Sequence, residues 1–379
     1  MKKLAVFAFL LLHFSSFALG QDNSEAKRLN VLVEQYFEDN LKLYPTYATY
    51  LGDDRYDNLL ENSISQEHIN KEKAVYKKYA EMLGKIDRNK LTGQDRLSYD
   101  VFKWNMEIGI EGYDFESELM PVNQFFDLSI DFPLLGSGTG YHQFKTVKNY
   151  DDFLGRINGY ETWTNTAIAN MRQGIKRGLI QPRILMERKL PQLEEMLVKD
   201  IKESLFYQPI KNLPAEFSSK DKERLTKEYE KAISEKIIPS YKKLYDFIKN
   251  EYLPHTLKAD GISALPGGKA RYAYLVKNYT TTNKTPDEIF QIGISEVKRI
   301  KAEMEKVKAE VGFRGELKAF FDDTRTNPKL FPFETDEQVL NAYRAIDQKM
   351  QPQLAKLFNI KPKTKFEIRQ VEKFRAASA

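Results

Sequence analysis

The sequence of 379 residues contains no cysteine, and this absence excludes several kinds of chemistry. Without a thiol there can be no disulfide, thiolate zinc site, iron–sulfur cluster or cysteine nucleophile. Histidine is scarce as well, with four in the whole chain. No two of them form the H-E-x-x-H pair with which a helical zinc peptidase binds its metal. The residues of this chain are therefore predicted to supply no metal site.

Neither sign of charge dominates the chain, which limits the kinds of partner. Lysine and arginine number 59 against 54 acidic residues, so the formal net charge is +5. A net charge this small does not indicate nucleic acid as a partner. The 41% of hydrophobic residues is instead typical of a folded globular protein with a sizeable core.

The N-terminus has the pattern of an export signal. A pair of lysines precedes an apolar run at residues 4–12, and small residues precede a cleavage point before Gln21. The run is about half of the ~20 apolar residues that a membrane-spanning helix needs. We therefore predict a signal peptide at residues 1–20. The mature chain, residues 21–379, is expected in the periplasm or outside the cell, with no membrane attachment after cleavage.

Most of the mature chain has the spacing of long amphipathic helices, with apolar residues recurring every three or four positions. Thr285-Pro286-Asp287-Glu288 adds a capping sequence, which predicts a helix from Pro286 to Val311 with its end at Gly312. Pro239 is predicted to kink or divide another helix, because it lacks a backbone donor. Further long helices are predicted from Ser24 to Pro45, Tyr150 to Leu179, Ser218 to Leu253 and Thr335 to Phe358.

Three segments depart from the helical pattern. Residues Lys363 to Phe374 alternate apolar and charged side chains, which predicts a short β-strand near the C-terminus. The segments Glu118 to Tyr141 and Thr256 to Thr282 are rich in glycine, proline and aromatics, so loops or short strands are predicted there. The predicted fold class is mainly α, with one short β element.

Histidine 142 is the one histidine of the mature chain that is a candidate for a binding site. It follows the glycine-rich loop at residues 136–140 and lies among aromatic residues, as a ligand pocket would require. His68 is surrounded in sequence by charged residues and is expected to face solvent. His255 follows Pro254 at a predicted helix end, where interaction with terminal carbonyls is the ordinary explanation.

Two aromatic segments, Pro121–Phe126 and Arg271–Tyr274, place polar groups between large rings. Such loops are typical of a groove for an extended peptide, although rings that simply cover a helical core would give the same pattern. The predicted strand would align such a peptide by β-addition. The candidate substrate-binding residues are accordingly Asn123, Gln124, His142, Tyr272, Tyr274 and Arg369.

Six short motifs occur in order along the chain and together resemble the bacterial family called domain of unknown function 885. They cover nearly all of the mature chain, from about Asn30 to Ala379. The motifs are Pro45-Thr46-Tyr47-Ala48-Thr49-Tyr50-Leu51-Gly52 with Arg55-Tyr56-Asp57, Met120-Pro121-Val122-Asn123-Gln124, Ala169-Asn170-Met171-Arg172-Gln173-Gly174-Ile175, Tyr279-Thr280-Thr281-Thr282, Glu296-Val297-Lys298-Arg299-Ile300 and Phe366-Glu367-Ile368-Arg369.

The resemblance implies an elongated, multi-helix domain built like zinc-dependent peptidases of the carboxypeptidase and angiotensin-converting-enzyme type. In such families zinc is held by a helix bearing H-E-x-x-H, here in the form H-E-x-x-P-G-H. That motif lies beyond the matched region, so no catalytic residue carries over to this sequence. Zinc is expected in the intact family protein and not in this chain.

Three hypotheses follow. The leading one is that residues 21–379 are the N-terminal portion of an exported zinc-dependent peptidase-like protein, truncated before the zinc motif and inactive as this chain. The alternative is a non-enzymatic periplasmic protein that binds a peptide in its aromatic loops. The third is a degenerate fragment without function.

Overall fold

The computed structural model describes residues 24–371, and nearly all regular structure in that range is helical. The prediction of a mainly α fold is therefore confirmed, whereas the predicted signal peptide at residues 1–20 lies outside the described residues. The chain divides into two compact units, the first ending at Arg271 and the second beginning at Tyr272. This division falls within a helix, α11.

Within residues 24–271, the first unit contains ten complete helices and the start of α11. They are α1 (Ser24–Leu43), α2 (Pro45–Tyr50), α3 (Gln66–Leu83), α4 (Gly93–Gly112), α5 (Leu128–Gly136), α6 (Val147–Arg177), α7 (Arg183–Glu194), α8 (Gln208–Lys211), α9 (Ser219–Ala232), α10 (Ile238–Phe247) and α11 (Gly268–Thr280). The second unit continues α11 and adds α12 (Pro286–Glu310), α13 (Leu317–Thr326) and α14 (Asp336–Leu357).

The helix boundaries follow the chemistry of the sequence. Gly178 ends α6 with φ +72°, a left-handed conformation that glycine adopts without steric cost. A π-helical segment, Ile233–Ile237, separates α9 from α10, and Pro239 lies at the start of α10. The predicted division of this long helix near Pro239 is thus confirmed.

Helix α12 begins with the predicted capping box. The Thr285 hydroxyl accepts a hydrogen bond from the backbone N–H of Glu288 at 3.2 Å, and the Glu288 carboxylate accepts one from the backbone N–H of Thr285 at 2.7 Å. This backbone contact is the main reason why the pKa of Glu288 is lowered. The two contacts satisfy donors that the helix itself leaves unpaired.

Replacing Thr285 with alanine is expected to destabilise the first turn of α12 by about 1 kcal/mol, because the cap is lost. Amide hydrogen exchange in that turn should accelerate accordingly. Pro286→Ala is the matched control, since proline contributes no donor to the cap, and it should have a much smaller effect. Equal exchange rates in the two variants would contradict the capping role.

Two segments predicted as loops or short strands contain helices, and that prediction is wrong. Residues 118–141 contain α5, and residues 256–282 contain α11. Pro133 lies inside α5 and cannot donate a hydrogen bond to the carbonyl of Ser129 four residues earlier. The buried Tyr241 hydroxyl donates to that carbonyl at 3.0 Å instead. A tertiary contact from α10 therefore compensates for the proline.

The predicted C-terminal strand is not present in the described residues. Residues 363–371 are non-helical, but they pair with no strand, and residues 372–374 lie outside the described part of the chain. The one β-type contact within residues 24–371 is an isolated bridge between Pro182 and Leu257. Alternating side chains favour extended backbone, yet a strand also needs a hydrogen-bonding neighbour.

The core of the first unit lies along α6, the longest helix described. Its inner face packs against α9 and α10, and the core is rich in stacked aromatic rings. Phe132 of α5 and Tyr160 of α6, for example, stack with ring centroids 4.4 Å apart. A second cluster joins α1, α3 and α4 around Leu29, Tyr79 and Phe102.

The second unit differs sharply, because α12, α13 and α14 contain no fully buried residue. Large apolar side chains follow one face of α12 and one face of α14 and are mostly exposed. On α12 they are Phe290, Ile294, Val297, Ile300, Met304 and Val307, and Val311 continues the stripe just after the helix. Amphipathic helices in folded proteins normally bury such a stripe.

Candidate functional site

A groove lies in the second unit, between α14 and the extended segment 361–369. Its volume is about 1080 Å³. One wall is the apolar stripe of α14, which extends from Val339 to Leu354, about 22 Å along the helix axis. The α14 residues that line the groove are Val339, Leu340, Tyr343, Ile346, Asp347, Met350, Gln351 and Leu354.

The opposite wall is the segment 361–369, in which Phe366 and Ile368 alternate with charged residues. Its backbone forms no strand pairing within residues 24–371. Extended backbone without a neighbouring strand offers N–H and C=O groups to an added strand, while alternate side chains line pockets beside it. The groove therefore has the features that an extended peptide requires.

Charged side chains line the groove unequally. The basic residues are Lys361, Lys363, Lys365 and Arg369, and the acidic residues are Asp347 and Glu367. The Asp347 carboxylate accepts a hydrogen bond from the Gln351 side chain at 2.8 Å. Positive charge therefore predominates around the apolar walls.

Three of the predicted site residues, Arg369, Tyr272 and Tyr274, belong to the second unit, but they do not all line the groove. Arg369 lines the groove. Tyr272 and Tyr274 lie on α11 and not on a loop, and neither contributes to the groove. Tyr272 is exposed, whereas Tyr274 is partly buried.

Asn123 and Gln124 lie in the first unit, in the loop before α5. The Asn123 side chain folds back on this loop: its Oδ1 accepts hydrogen bonds from the backbone N–H groups of Phe125 and Phe126. Gln124 is buried, and its backbone carbonyl accepts a hydrogen bond from the Gln192 side chain at 3.0 Å. Neither residue lines the small pocket of about 270 Å³ that Phe126 helps to form.

His142 is buried in the first unit, with an exposed fraction of 1%. Arg156 Nη1 donates a hydrogen bond to its Nδ1 at 2.9 Å, so the proton of the neutral ring is on Nε2, which donates to the Asn149 carbonyl at 3.0 Å. Burial lowers the pKa of His142 to about 4. Both ring nitrogens are thus used inside the protein, an arrangement typical of a structural histidine.

Arg156 is the centre of this buried network and has an exposed fraction of 0%. Besides His142 it contacts the carbonyl of Leu59 at 2.9 Å, the hydroxyl of Thr49 and, at 3.5 Å, the carboxylate of Asp57. Asp57 also accepts a hydrogen bond from Thr49 at 2.5 Å. The network joins the N-terminal motif at residues 45–57 to α6.

His68 is also buried, so the expectation that it faces solvent is wrong. Its ring lies 5.2 Å from that of Tyr44, measured between centroids, and its Nε2 has no hydrogen-bond partner among the described residues. Burial lowers its pKa. The charged residues around His68 in the sequence suggest an exposed face of α3, but His68 belongs to the inward face together with Ile69, Tyr79 and Leu83.

The residues described do not fit a zinc ion. Within residues 24–371, no three His, Asp or Glu side chains come together in a group that could hold a metal. None of the described helices is long and apolar enough to span a membrane. The groove is therefore the candidate functional site among the described residues.

The spacing of apolar residues along α14 does not predict the groove, because an exposed apolar helix face and a buried one have the same spacing. The signal that pointed to this region was the alternation of residues 365–369. This alternation predicts Arg369 as a site residue, whereas no feature of the sequence indicates the α14 residues that line the groove.

Comparisons with known proteins agree with the fold. A family model described as "Bacterial protein of unknown function (DUF885)" matches residues 45–379. A solved structure described as "the putative lipoprotein from Colwellia psychrerythraea" superposes with a TM-score of 0.78 and 17% sequence identity, covering 90% of this chain. The chain spans 62% of the length of that neighbour. No curated protein matches the sequence.

Proposed function

Because the chain belongs to the bacterial family of unknown function DUF885, we propose that it is the peptide-binding portion of an exported, zinc-peptidase-like protein. The observation that carries this proposal is the groove between α14 and residues 361–369. It combines an apolar wall with extended backbone that pairs with no described strand. Its volume of about 1080 Å³ lies just above the range typical of ligand sites.

The exposed stripes of the second unit support the idea that this portion works within a larger protein. Residues such as Phe290 and Val297 are 63% and 65% exposed, although they belong to one apolar face of α12. Large contiguous apolar surface on a soluble protein usually marks an interaction site. Additional polypeptide of the whole protein would cover these helices.

Zinc-dependent hydrolysis belongs to our proposal for the whole protein. The described residues do not form a metal site, so no hydrolytic step is assigned to them. The same groove also supports the second candidate, a periplasmic protein that binds peptides without cleaving them. The two functions differ in whether the whole protein cleaves the bound peptide or releases it uncleaved.

Peptide binding can be measured with the full chain. A fluorescently labelled, amidated peptide of about eight residues, alternating valine and threonine, would match the length of the extended segment. Its fluorescence anisotropy should rise with added protein and saturate. Met350→Asp should weaken binding about tenfold or more, because it places a carboxylate in the apolar wall.

Ala345→Asp is the matched control, since it adds the same charge to α14 at an exposed position outside the groove. It should leave the affinity nearly unchanged. Absence of saturable binding, or equal losses in the two variants, would overturn the proposal. Circular dichroism of both variants would verify that α14 remains helical.

A further inference from the structure

We propose that the groove selects peptides in which acidic side chains alternate with apolar ones; this inference rests on the proposed peptide-binding function. The charges that line the groove carry it. Four basic and two acidic side chains line the groove, and all four basic ones belong to the segment 361–369, among them Lys361, Lys363 and Lys365.

These three lysines are exposed, and none forms an ion pair with another described residue. Some other lysines of the second unit are already paired: Lys308 pairs with Glu305 at 2.6 Å and Lys318 pairs with Asp322 at 2.7 Å. The groove lysines therefore retain their capacity to pair with a ligand. A ligand carboxylate beside them would meet complementary charge.

The apolar wall determines what else the ligand needs. Tyr343, Ile346 and Met350 line the groove at helical spacing, so a purely acidic polymer would leave them exposed to water. In an extended peptide, successive side chains point to opposite sides. An alternating peptide can therefore place its apolar side chains against α14 and its acidic side chains beside the lysines.

Two amidated peptides provide the test, one alternating valine with glutamate and the other alternating valine with lysine. At low ionic strength the glutamate peptide should bind about tenfold more tightly, because exposed ion pairs add modest amounts that accumulate over several contacts. The difference should shrink as salt is raised, since screening acts on exposed charges.

Paired variants distinguish the effect of the groove lysines on peptide preference from the effect of the protein's net charge. Lys363→Glu with Lys365→Glu should abolish or reverse the preference for the glutamate peptide. Lys349→Glu with Lys356→Glu makes the same change in net charge at positions of α14 that do not line the groove, and should preserve the preference.

The outcomes distinguish this inference from the function on which it rests. Equal affinity for the two peptides would overturn acidic selection while leaving peptide binding intact. Absence of binding by either peptide would overturn the proposed function. Peptide affinity that falls as the protein is concentrated would mean that a second copy of the chain occupies the groove, which would also contradict the inference.

Discussion

Replacing Arg156 with methionine is expected to lower the free energy of unfolding of the first unit by about 3–5 kcal/mol. Methionine fills much of the same space but leaves the buried carboxylate of Asp57 without its cation. The carbonyl of Leu59 and the Nδ1 atom of His142 lose their donor in the same substitution. Buried polar groups without partners account for most of the expected loss.

Arg172→Met is the matched control, because it makes the same substitution in the same helix. Arg172 forms an ion pair with Glu251 at 2.7 Å, but both side chains are substantially exposed. Exposed pairs of this kind contribute about 1 kcal/mol or less. Urea denaturation of the two variants compares them directly, and a similar loss in both would show that the Arg156 network does not stabilise the fold.

Acidification is expected to destabilise the first unit, and His142 should account for about 3 kcal/mol of the loss. Burial lowers the pKa of His142 from 6.5 to about 4 in the folded protein. Between these values the unfolded chain binds a proton that the folded chain does not. Stability should therefore fall as the pH decreases from about 6.5 to about 4, and this contribution should level off below pH 4.

The variant His142→Gln tests the assignment. It should be less stable than the natural protein at pH 7, because the hydrogen bonds of the ring are lost, but its stability should depend less on pH between 7 and 4. His255→Gln, at an exposed position, should keep the full pH dependence. An unchanged pH profile in His142→Gln would show that other groups cause the acid sensitivity.

Much of the helical structure could be predicted from the sequence, because its signals are local. The predicted capping box at Thr285 is formed, α14 begins with the same arrangement at Thr335, and Gly178 ends α6. Each signal involves residues within one turn of the boundary. Such contacts form in the same way whatever the rest of the chain does.

Helix α5 could not be predicted, since its stability depends on distant residues. The segment contains Pro133 and is followed by Gly138 and Gly140, which favour a loop when the sequence is considered alone. Phe132 packs against Phe153 and Tyr160 of α6, and the buried contacts outweigh the poor local propensity. The sequence shows these aromatics but not that they meet.

The candidate site was predicted only in part, for a related reason. Arg369 lies in the groove, while the roles proposed for Asn123, Gln124, His142, Tyr272 and Tyr274 stay predictions. The same glycine and aromatic richness that suggested a binding loop around His142 also describes a packed interior. Burial distinguishes the two, and burial follows from tertiary contacts.

The hydrogen bond from Tyr241 to the Ser129 carbonyl has a consequence for the evolution of the family. Pro133 makes this tyrosine necessary, because no backbone N–H is available for the carbonyl. In a relative with another residue at position 133, the helix would satisfy the carbonyl itself, and phenylalanine at position 241 would become acceptable. Proline at 133 and tyrosine at 241 should therefore be inherited together, although 108 positions of sequence separate them.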